Sequence, residues 1–243
     1  MAFPLSYARG PDGIFPMIPR EHIGTAFVPD GEELRLFRRG GDFSISLNRN
    51  ELMTTRMSGS EEALATMTLD RLGRRSGRRE ALHLLIGGYG MGFTLRAALA
   101  VLDKYASVTV AELVPEIIEW ARGPMAEVTS GCLDDPRVML VMQDVAVMIE
   151  AAHEGYDAIL LDVDNGPEGL TRQENDRLYS RRGLQAAWTA LAPGGILAIW
   201  SAFRDPAFTR VLNEGGFEVE EVGVRARSNG KGAHHVIWFA QKR

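Results

Sequence analysis

The chain of 243 residues is long enough for one large domain and a small one. Its formal net charge of -5 argues against a general nucleic-acid-binding protein, which would usually be basic. The single cysteine, Cys132, excludes an internal disulfide, so a reducing cytoplasm is the expected location. No apolar run reaches the ~18 residues that a membrane span needs, and the first residues lack the layout of a signal peptide, so no membrane partner is expected.

The N-terminal part of the chain is predicted to hold a lead-in and a small β segment. Residues 1–30 carry five prolines, which favours an extended lead-in. Over residues 31–79, apolar side chains alternate with polar ones on both sides of Gly40-Gly41. This alternation predicts a β-hairpin, to which residues 51–57 can add a strand. Ser60 stands before two glutamates and is predicted to cap a helix.

Residues 80–243 repeat a pattern of strand and helix. The predicted strands are 82–86, 107–111, 137–142, 156–161 and 196–200, followed by an antiparallel pair at 217–224 and 236–240. Helices are predicted at 94–102, 180–192 and 205–214, and the run LAPGG is expected to end the second of them. This alternation predicts an α/β fold with a parallel sheet, whose ligands bind beyond the carboxyl ends of the strands.

A glycine-rich turn connects the first strand of this pattern to its helix. The apolar run 82–86 is typical of a strand buried on both faces. Four glycines follow it within six residues: Gly87, Gly88, Gly90 and Gly92. Without a Cβ they let the backbone approach a ligand, and the amides at the helix start can donate to it. The alternative is a glycine turn that only closes the corner between strand and helix.

The spacing of these glycines favours one class of nucleotide site over another. A dinucleotide fingerprint would need a small residue at position 93, where Phe93 stands, so a nicotinamide cofactor takes second rank. The form G-x-G-x-G is the one seen in class I S-adenosylmethionine-dependent transferases. Glu112 ends the second strand and can accept the ribose hydroxyls of a nucleoside. Asp144 and Asp162 follow the third and fourth strands, so one crevice is expected to gather all of these residues.

Five segments together resemble the spermidine synthases and their relatives: LLIGGYGMGFTLRAAL, VTVAELVPEIIEW, DPRVMLVMQD, YDAILLDVDNGP and LAPGGILAIW. The resemblance covers roughly residues 42 to 243, and SGSEEAL is similar to the segment that enters the family's gatekeeping region. It implies a Rossmann-like, seven-stranded class I methyltransferase sheet at 80–243 with a small N-terminal β-hairpin domain, and a homodimer.

The resemblance also implies roles for individual residues. The glycine loop and Glu112 would bind decarboxylated S-adenosylmethionine, and Asp144 would hold its adenine amino group. Asp162 and Asp164 would receive a small-molecule amine acceptor.

Two departures from the family pattern leave the substrate open. The family's loop usually reads G-G-G-D-G, with an acid that holds the donor's amine, whereas GGYGMG has no acid. The family's D-S-S-D-P box is here DVDNGP. Three hypotheses follow: an aminopropyltransferase that acts on a small amine, an S-adenosylmethionine-dependent methyltransferase on the same fold, and a nucleoside-binding protein without turnover. The donor is either decarboxylated or intact S-adenosylmethionine.

Alkyl transfer from a sulfonium explains why two acids are expected in this crevice. The sulfonium carries its own leaving group, so no metal or redox cofactor is required. An amine with a pKa near ~10.4 costs about 4.6 kcal/mol to deprotonate at pH 7. One acid can anchor a distal ammonium while another accepts the reacting proton. Asp162 and Asp164 face the same way on an extended segment, although Asp164 can instead cap the turn before Gly166-Pro167.

Two further residues are candidates for substrate binding. Glu61, which arrives from the N-terminal segment, can stand in for the missing loop acid. Tyr179 can cover the acceptor, and core packing is the alternative for it. His234 and His235 have no acidic or sulfur partner at ligand spacing, so no metal site is expected.

Overall fold

The computed structural model describes residues 18–29, 31–48, 50–76, 81–163 and 176–243, and it contains two sheets. The smaller sheet is antiparallel, in the order β1 (Glu21–Phe27), β2 (Glu33–Arg39), β3 (Asp42–Leu47) and β4 (Asn50–Thr54). The predicted hairpin around Gly40-Gly41 is confirmed, with Leu36 opposite Ile45.

Strand β1 corrects the prediction of an extended lead-in over residues 1–30. Residues 21–27 pair with β2, and a register shift follows His22. The strand also packs against the helix that contains Trp120, so closely that a Cβ on Gly24 would lie 2.7 Å from the indole Nε1. Pairing with β2 and packing against Trp120 therefore define this strand, whereas its flanking prolines and internal glycine favoured a loop.

The N-terminal helix α1 (Gly59–Ser76) buries Leu64, Ala65, Leu69 and Leu72 on one face. The prediction that Ser60 caps this helix is wrong, because the helix begins one residue earlier and the Ser60 hydroxyl contacts the side chains of Glu61 and His235. Its start lies against the turn that connects the last two strands. Gly59 N donates to Ala226 O at 2.9 Å, and a Cβ on Gly59 would collide with the backbone at Arg227 and Ser228. The first turn of α1 is therefore held in place by the C-terminal hairpin.

The larger sheet has seven strands, and its α/β character confirms the predicted fold class. The strands are β5 (His83–Gly87), β6 (Ser107–Glu112), β7 (Val138–Met142), β8 (Tyr156–Leu161), β9 (Leu191–Ser201), β10 (Glu218–Arg225) and β11 (His234–Gln241). Their order is β10-β11-β9-β8-β5-β6-β7, and β11 runs antiparallel to both of its neighbours. The sheet is thus mixed, because the predicted antiparallel pair joins the parallel strands at one end.

Helices connect the strands of the larger sheet on both faces. They are α2 (Phe93–Val101), α3 (Pro115–Arg122), α4 (Ala126–Thr129), α5 (Val145–Ala151), α6 (Asp176–Tyr179), α7 (Arg181–Ala190) and α8 (Pro206–Glu214), with a 3-10 turn at Cys132–Asp134. Among the described residues, none of the helices is both long and apolar enough to cross a membrane.

The predicted helix 180–192 and the LAPGG stop need correction. Ser180 separates α6 from α7 by capping the latter, since its Oγ accepts from Gly183 N at 3.1 Å. Helix α7 ends at Ala190, and β9 begins at once with Leu191, which pairs with Tyr156. The Pro-Gly run lies within β9, where the pairing with β8 shifts register. It therefore interrupts a strand and does not precede one.

Two hydrophobic clusters cover the two faces of the larger sheet. On β8, Ala158 and Leu160 belong to one cluster, and Ile159 and Leu161 to the other. This is why the central strands read as unbroken apolar runs. The first cluster continues into α1 and the smaller sheet, so that sheet lies over the crevice at the carboxyl ends of β5 and β6.

Candidate active site

The glycine loop between β5 and α2 is shaped by close approach to neighbouring strand ends. Gly88, Gly90 and Gly92 all have positive φ, at 83°, 54° and 77°. A Cβ on Gly88 would lie 2.5 Å from the carbonyl oxygen of Asp162. A Cβ on Gly90 would instead meet Met53 Sδ of the smaller sheet at 3.2 Å. Gly88 is thus required by the fold itself, and Gly90 borders open space.

Glu112, at the end of β6, ties the glycine loop to the neighbouring strand. Its Oε2 accepts from Tyr89 N at 2.9 Å, and its Oε1 accepts from Leu113 N at 2.7 Å and Val114 N at 2.9 Å. Burial raises the pKa of Glu112, while these backbone donors act in the opposite direction. The Gly90 amide is a further backbone donor to this carboxylate, so binding of a ribose hydroxyl by Glu112 stays a prediction.

Asp144 also has partners on both carboxylate oxygens. Oδ1 caps α5 by accepting from Ala146 N at 2.8 Å, and Oδ2 accepts from Arg177 Nη2 at 2.6 Å. The residue lies at the end of β7 and borders the same crevice as Glu112. Binding of an adenine amino group, as the resemblance implies, would compete with the Arg177 ion pair and stays a prediction.

Asp162, directly after β8, is a buried acid with a hydroxyl partner. Its Oδ2 accepts from Thr94 Oγ1 at 2.8 Å, and burial raises its pKa to about 6. Thr94 lies in the first turn of α2, and its hydroxyl is also 3.3 Å from the carbonyl oxygen of Glu61. This threonine joins the strand end to the start of α1.

Glu61 meets Asp162 at the same place in the crevice. Its Oε2 accepts from Ser60 Oγ at 2.6 Å. Burial, followed by the charge of Asp162, raises the pKa of Glu61 to about 8. At neutral pH Asp162 is therefore ionised and Glu61 protonated, so the two acids share about one negative charge.

Two adjoining pockets divide the crevice. The first pocket is defined by Gly88, Glu112, Asp144 and Ile117, and it is covered by Leu34 of β2 and by Val28, which follows β1. The second pocket is defined by Glu61, Met91, Phe93 and Trp200. Gly90, Asp162 and Met53 border both pockets, so a ligand in one would meet a ligand in the other at these residues.

Among the described residues, three predicted site residues line neither pocket: Gly87, Gly92 and Tyr179. Tyr179 is buried in a core cluster with its ring edge against Phe208, at a centroid distance of 5.7 Å, and does not line either pocket. Tyr179 is therefore a core residue, which is the second of the two interpretations that the sequence allowed, and it does not cover the acceptor pocket. Asp164 lies outside the described residues.

Several residues at the site had no distinctive signal in the sequence. Thr94 resembled an ordinary residue at the start of a helix, and Trp200 an ordinary core aromatic. In the structure Trp200 lines the second pocket, and its buried indole N–H has no hydrogen-bond partner among the described residues. His235 contacts Ser60 through its Nδ1 atom at 2.9 Å. Within the described ranges, no group of three His, Cys, Asp or Glu residues could hold a metal ion.

Comparison with known proteins finds both sequence relatives and structural neighbours. A polyamine aminopropyltransferase of Mycobacterium tuberculosis is 30% identical over 188 residues, which are 75% of this chain and 34% of that protein. Putrescine N-methyltransferase 4 of Nicotiana tabacum is 33% identical over 115 residues, which are 47% of this chain and 28% of that protein. The matches thus span about a third of these relatives' length.

The fold is shared with a solved spermidine synthase in complex with the transition state analogue AdoDATO. The TM-score is 0.69 at 19% identity, and the match covers 92% of this chain and 73% of that one. Residues 65–212 match the spermine/spermidine synthase domain, and this stretch contains the glycine loop, Glu112, Asp144 and Asp162. Since the match covers more than half of the 243 residues, the chain belongs to the spermine/spermidine synthase domain family.

Proposed function

We propose that this chain transfers an aminopropyl group from decarboxylated S-adenosylmethionine to a small amine. The observation that carries the proposal is the acid pair Glu61 and Asp162, which lines the second pocket where it meets the glycine loop at Gly90. The first pocket would hold the nucleoside, and the second pocket would hold the amine. Family membership and the aminopropyltransferase relative support the same reaction.

In this reaction the amine nitrogen attacks the carbon next to the sulfonium. A C–N bond forms, the C–S bond breaks, and its electron pair returns to sulfur, which leaves as a neutral thioether. The protein aligns the two ligands, and such alignment can lower the barrier by ~7–11 kcal/mol. The attacking amine must also lose a proton. Asp162, ionised at neutral pH with a pKa of about 6, is the group proposed to accept it.

Glu61 is proposed to select the donor. The glycine loop has no acid of its own, so a weak preference, within roughly tenfold, would be expected from the loop alone. Glu61 and Asp162 line the second pocket where it meets the first at Gly90, and the negative charge of this pair would attract the ammonium of the decarboxylated donor and disfavour the carboxylate of intact S-adenosylmethionine. An ammonium bound beside Glu61 would lower the pKa of Glu61 and favour its ionised form, which gives a charge-assisted contact. Removing one charge-assisted contact changes affinity by about 1.5–3 kcal/mol.

Titration of both nucleosides tests this choice. Wild type should prefer the decarboxylated donor, and Glu61→Gln should reduce that preference by roughly 10-fold or more. Glu62→Gln is the matched control, because Glu62 lies on the same helical turn and accepts from Ser58 at 2.8 Å without lining either pocket. An equal preference in Glu61→Gln and wild type would assign donor selection to another group.

Methyl transfer to an amine is the second candidate. The Nicotiana tabacum relative, named a putrescine N-methyltransferase, and the loop without an acid both favour it. Mass spectrometry of products after incubation with each donor and a panel of mono- and diamines separates the two reactions. A gain of an aminopropyl group supports the proposal, and a gain of a methyl group supports the alternative. Binding of nucleoside without any product would instead indicate a protein without turnover.

A homodimer and a cytoplasmic location stay predictions. The family resemblance supports the dimer, and the single cysteine, Cys132, supports a reducing compartment. Sedimentation of the purified chain would test the first of these.

A further inference from the structure

A line of hydrogen bonds connects Glu61 through Ser60 to His235. The Ser60 hydroxyl, which is fully buried, lies 2.6 Å from Glu61 Oε2 and 2.9 Å from His235 Nδ1. A hydroxyl has one proton, so it donates to only one of these two neighbours at a time. The state of Ser60 therefore depends on where the protons of Glu61 and His235 are.

Two arrangements of protons satisfy all three groups. When Glu61 is ionised, Ser60 donates to it, and Nδ1–H of His235 donates to the Ser60 oxygen. When Glu61 is protonated, it donates to Ser60, and Ser60 donates to an unprotonated Nδ1. Passing from the second arrangement to the first transfers one proton from Glu61 through Ser60 to Nδ1.

The backbone holds these three residues at fixed positions. The start of α1 is anchored on the β10–β11 turn through Gly59 N and Ala226 O, and His235 follows that turn on β11. The His235 ring stands edge-on to Trp200 at a centroid distance of 4.8 Å, and Trp200 in turn lines the second pocket. His235 is only partly buried, whereas Ser60 is fully buried, so the line runs from the pocket toward the surface.

Protonation of Asp162 eases transfer in this direction, whereas the raised pKa of Glu61 and the lowered pKa of His235 oppose it. Burial, followed by the charge of His234, lowers the pKa of His235, so its imidazole is neutral near pH 7 and releases an added proton readily to water. On the pocket side, Asp162 at the end of β8 and Glu62 on α1 both raise the pKa of Glu61. A proton that binds to Asp162 would neutralise its charge, and this would lower the pKa of Glu61.

We propose that Ser60 and His235 are positioning residues that conduct the proton of the alkylated amine out of the second pocket through Glu61. The inference rests on the proposed amine-alkylating function. The amine gives its proton to Asp162 as the C–N bond forms and the C–S bond breaks. Glu61 then passes its own proton to Ser60, Ser60 passes its hydroxyl proton to Nδ1, and His235 releases the Nε2 proton to water. One proton enters the acid pair, and one leaves it.

A titration of the full chain without substrates tests the line of hydrogen bonds independently of turnover. Nitrogen-15 NMR of histidine should show that the His235 Nδ1 signal responds to ionisation of Glu61, with an inflection near a pH of about 8. In Ser60→Ala this inflection should vanish from His235, while the signal of the exposed His234 stays as in wild type. A His235 signal that never reports Glu61, or that still reports it in Ser60→Ala, overturns the proposal.

Kinetics separates proton conduction from simple support of Glu61. His235→Asn keeps a hydrogen-bonding group near the position of Nδ1 but cannot accept a proton. Its kcat should fall about tenfold or more, with KM for both substrates within about twofold of wild type. His234→Asn is the matched control and should retain wild-type kcat. Wild-type kcat in His235→Asn would overturn the proposal. If no donor and amine give product, the proposed function fails, and the titration still decides whether the hydrogen-bonded line exists.

Discussion

The two pockets hold their carboxylates in different ways. In the first pocket, Glu112 accepts from the backbone amides of Tyr89, Leu113 and Val114, which oppose the effect of burial on its pKa. In the second pocket, Glu61 accepts from a hydroxyl, and the charge of Asp162 adds to the effect of burial. Backbone amides cannot give or take a proton at neutral pH, whereas hydroxyls can pass one along.

This difference indicates separate duties for the two pockets. An acid fixed by backbone donors keeps one geometry, which suits recognition of a nucleoside. A pair of acids that shares about one charge changes its protonation at little cost near neutral pH, which suits proton transfer. The comparison predicts that substitutions in the first pocket weaken donor binding, and that those in the second pocket lower turnover.

The largest effect is expected at Gly90, which borders both pockets. Gly90→Val should abolish both nucleoside binding and turnover, because a β-branched residue strains a backbone at φ 54° and fills the space next to Met53. Calorimetry with the donor measures the loss. Gly194→Val is the matched control, since Gly194 has φ 78° and no heavy atom within 4 Å of its would-be Cβ. Normal binding by Gly90→Val would move the ligand away from the glycine loop.

Asp162→Asn should break the second pocket while leaving the first intact. We expect kcat to fall by ~10²–10⁴ with donor affinity little changed, because the variant keeps a polar group near Thr94 but loses the proton acceptor. Rapid-mixing kinetics and donor titration check the two parts of this expectation. Asp103→Asn provides a control, as Asp103 caps Tyr105 N in an exposed loop at 3.1 Å. A variant with full turnover would exclude Asp162 as the proton acceptor.

Glu112→Gln should mainly weaken donor binding, with a smaller effect on kcat, which is the opposite of the expectation for Asp162→Asn. The expected loss is about 1.5–3 kcal/mol, or roughly 10- to 150-fold in Kd. A glutamine also offers fewer acceptors to the loop amides, so part of the loss can come from the loop itself. Wild type titrated with the 2′-deoxy nucleoside isolates the ribose contact. Equal binding of deoxy and parent nucleosides by wild type would remove Glu112 from ribose recognition.

Local patterns made the first pocket predictable from the sequence. The glycine loop, Glu112 and Asp144 each follow an apolar strand at once, and parallel strands bring their carboxyl ends to one edge. Two of the backbone bonds of Glu112 are local too, because Leu113 and Val114 are its next two residues. Strand β1 escaped prediction because its evidence is a distant contact between Gly24 and Trp120.

The second pocket depends on contacts that no local pattern records. Ser60 and His235 are 175 positions apart, and Thr94 and Asp162 are 68 positions apart. Glu61 could be suspected from the sequence because an acid was missing from the loop, but its pairing with Asp162 required the packing of α1 on α2. The position of Tyr179 after the acidic segment favours a role in covering the acceptor, and no local pattern indicates its core contact with Phe208.

The smallest expected effect concerns stability as a function of pH. The pKa of Glu61 is raised from 4.5 to about 8, and that of Asp162 from 3.8 to about 6. A carboxyl whose pKa is higher in the folded chain binds more protons there than in the unfolded chain. The free energy of unfolding therefore includes a contribution that is complete below pH ~4 and is lost as the pH rises through the folded values.

Urea unfolding of the unliganded chain between pH 4.5 and 8.5 should thus show stability that declines with pH, in part because of these two groups. In Glu61→Gln the decline should be shallower, because glutamine does not ionise. The variant thus loses the group whose pKa of about 8 extends the decline above the pKa of Asp162. Glu150→Gln, which removes an exposed carboxylate on α5 away from both pockets, should keep the slope of wild type. If Glu61→Gln and wild type have the same slope, Glu61 ionises as easily in the folded chain as in the unfolded chain. The contrast between a fixed first pocket and a titrating second pocket would then be wrong.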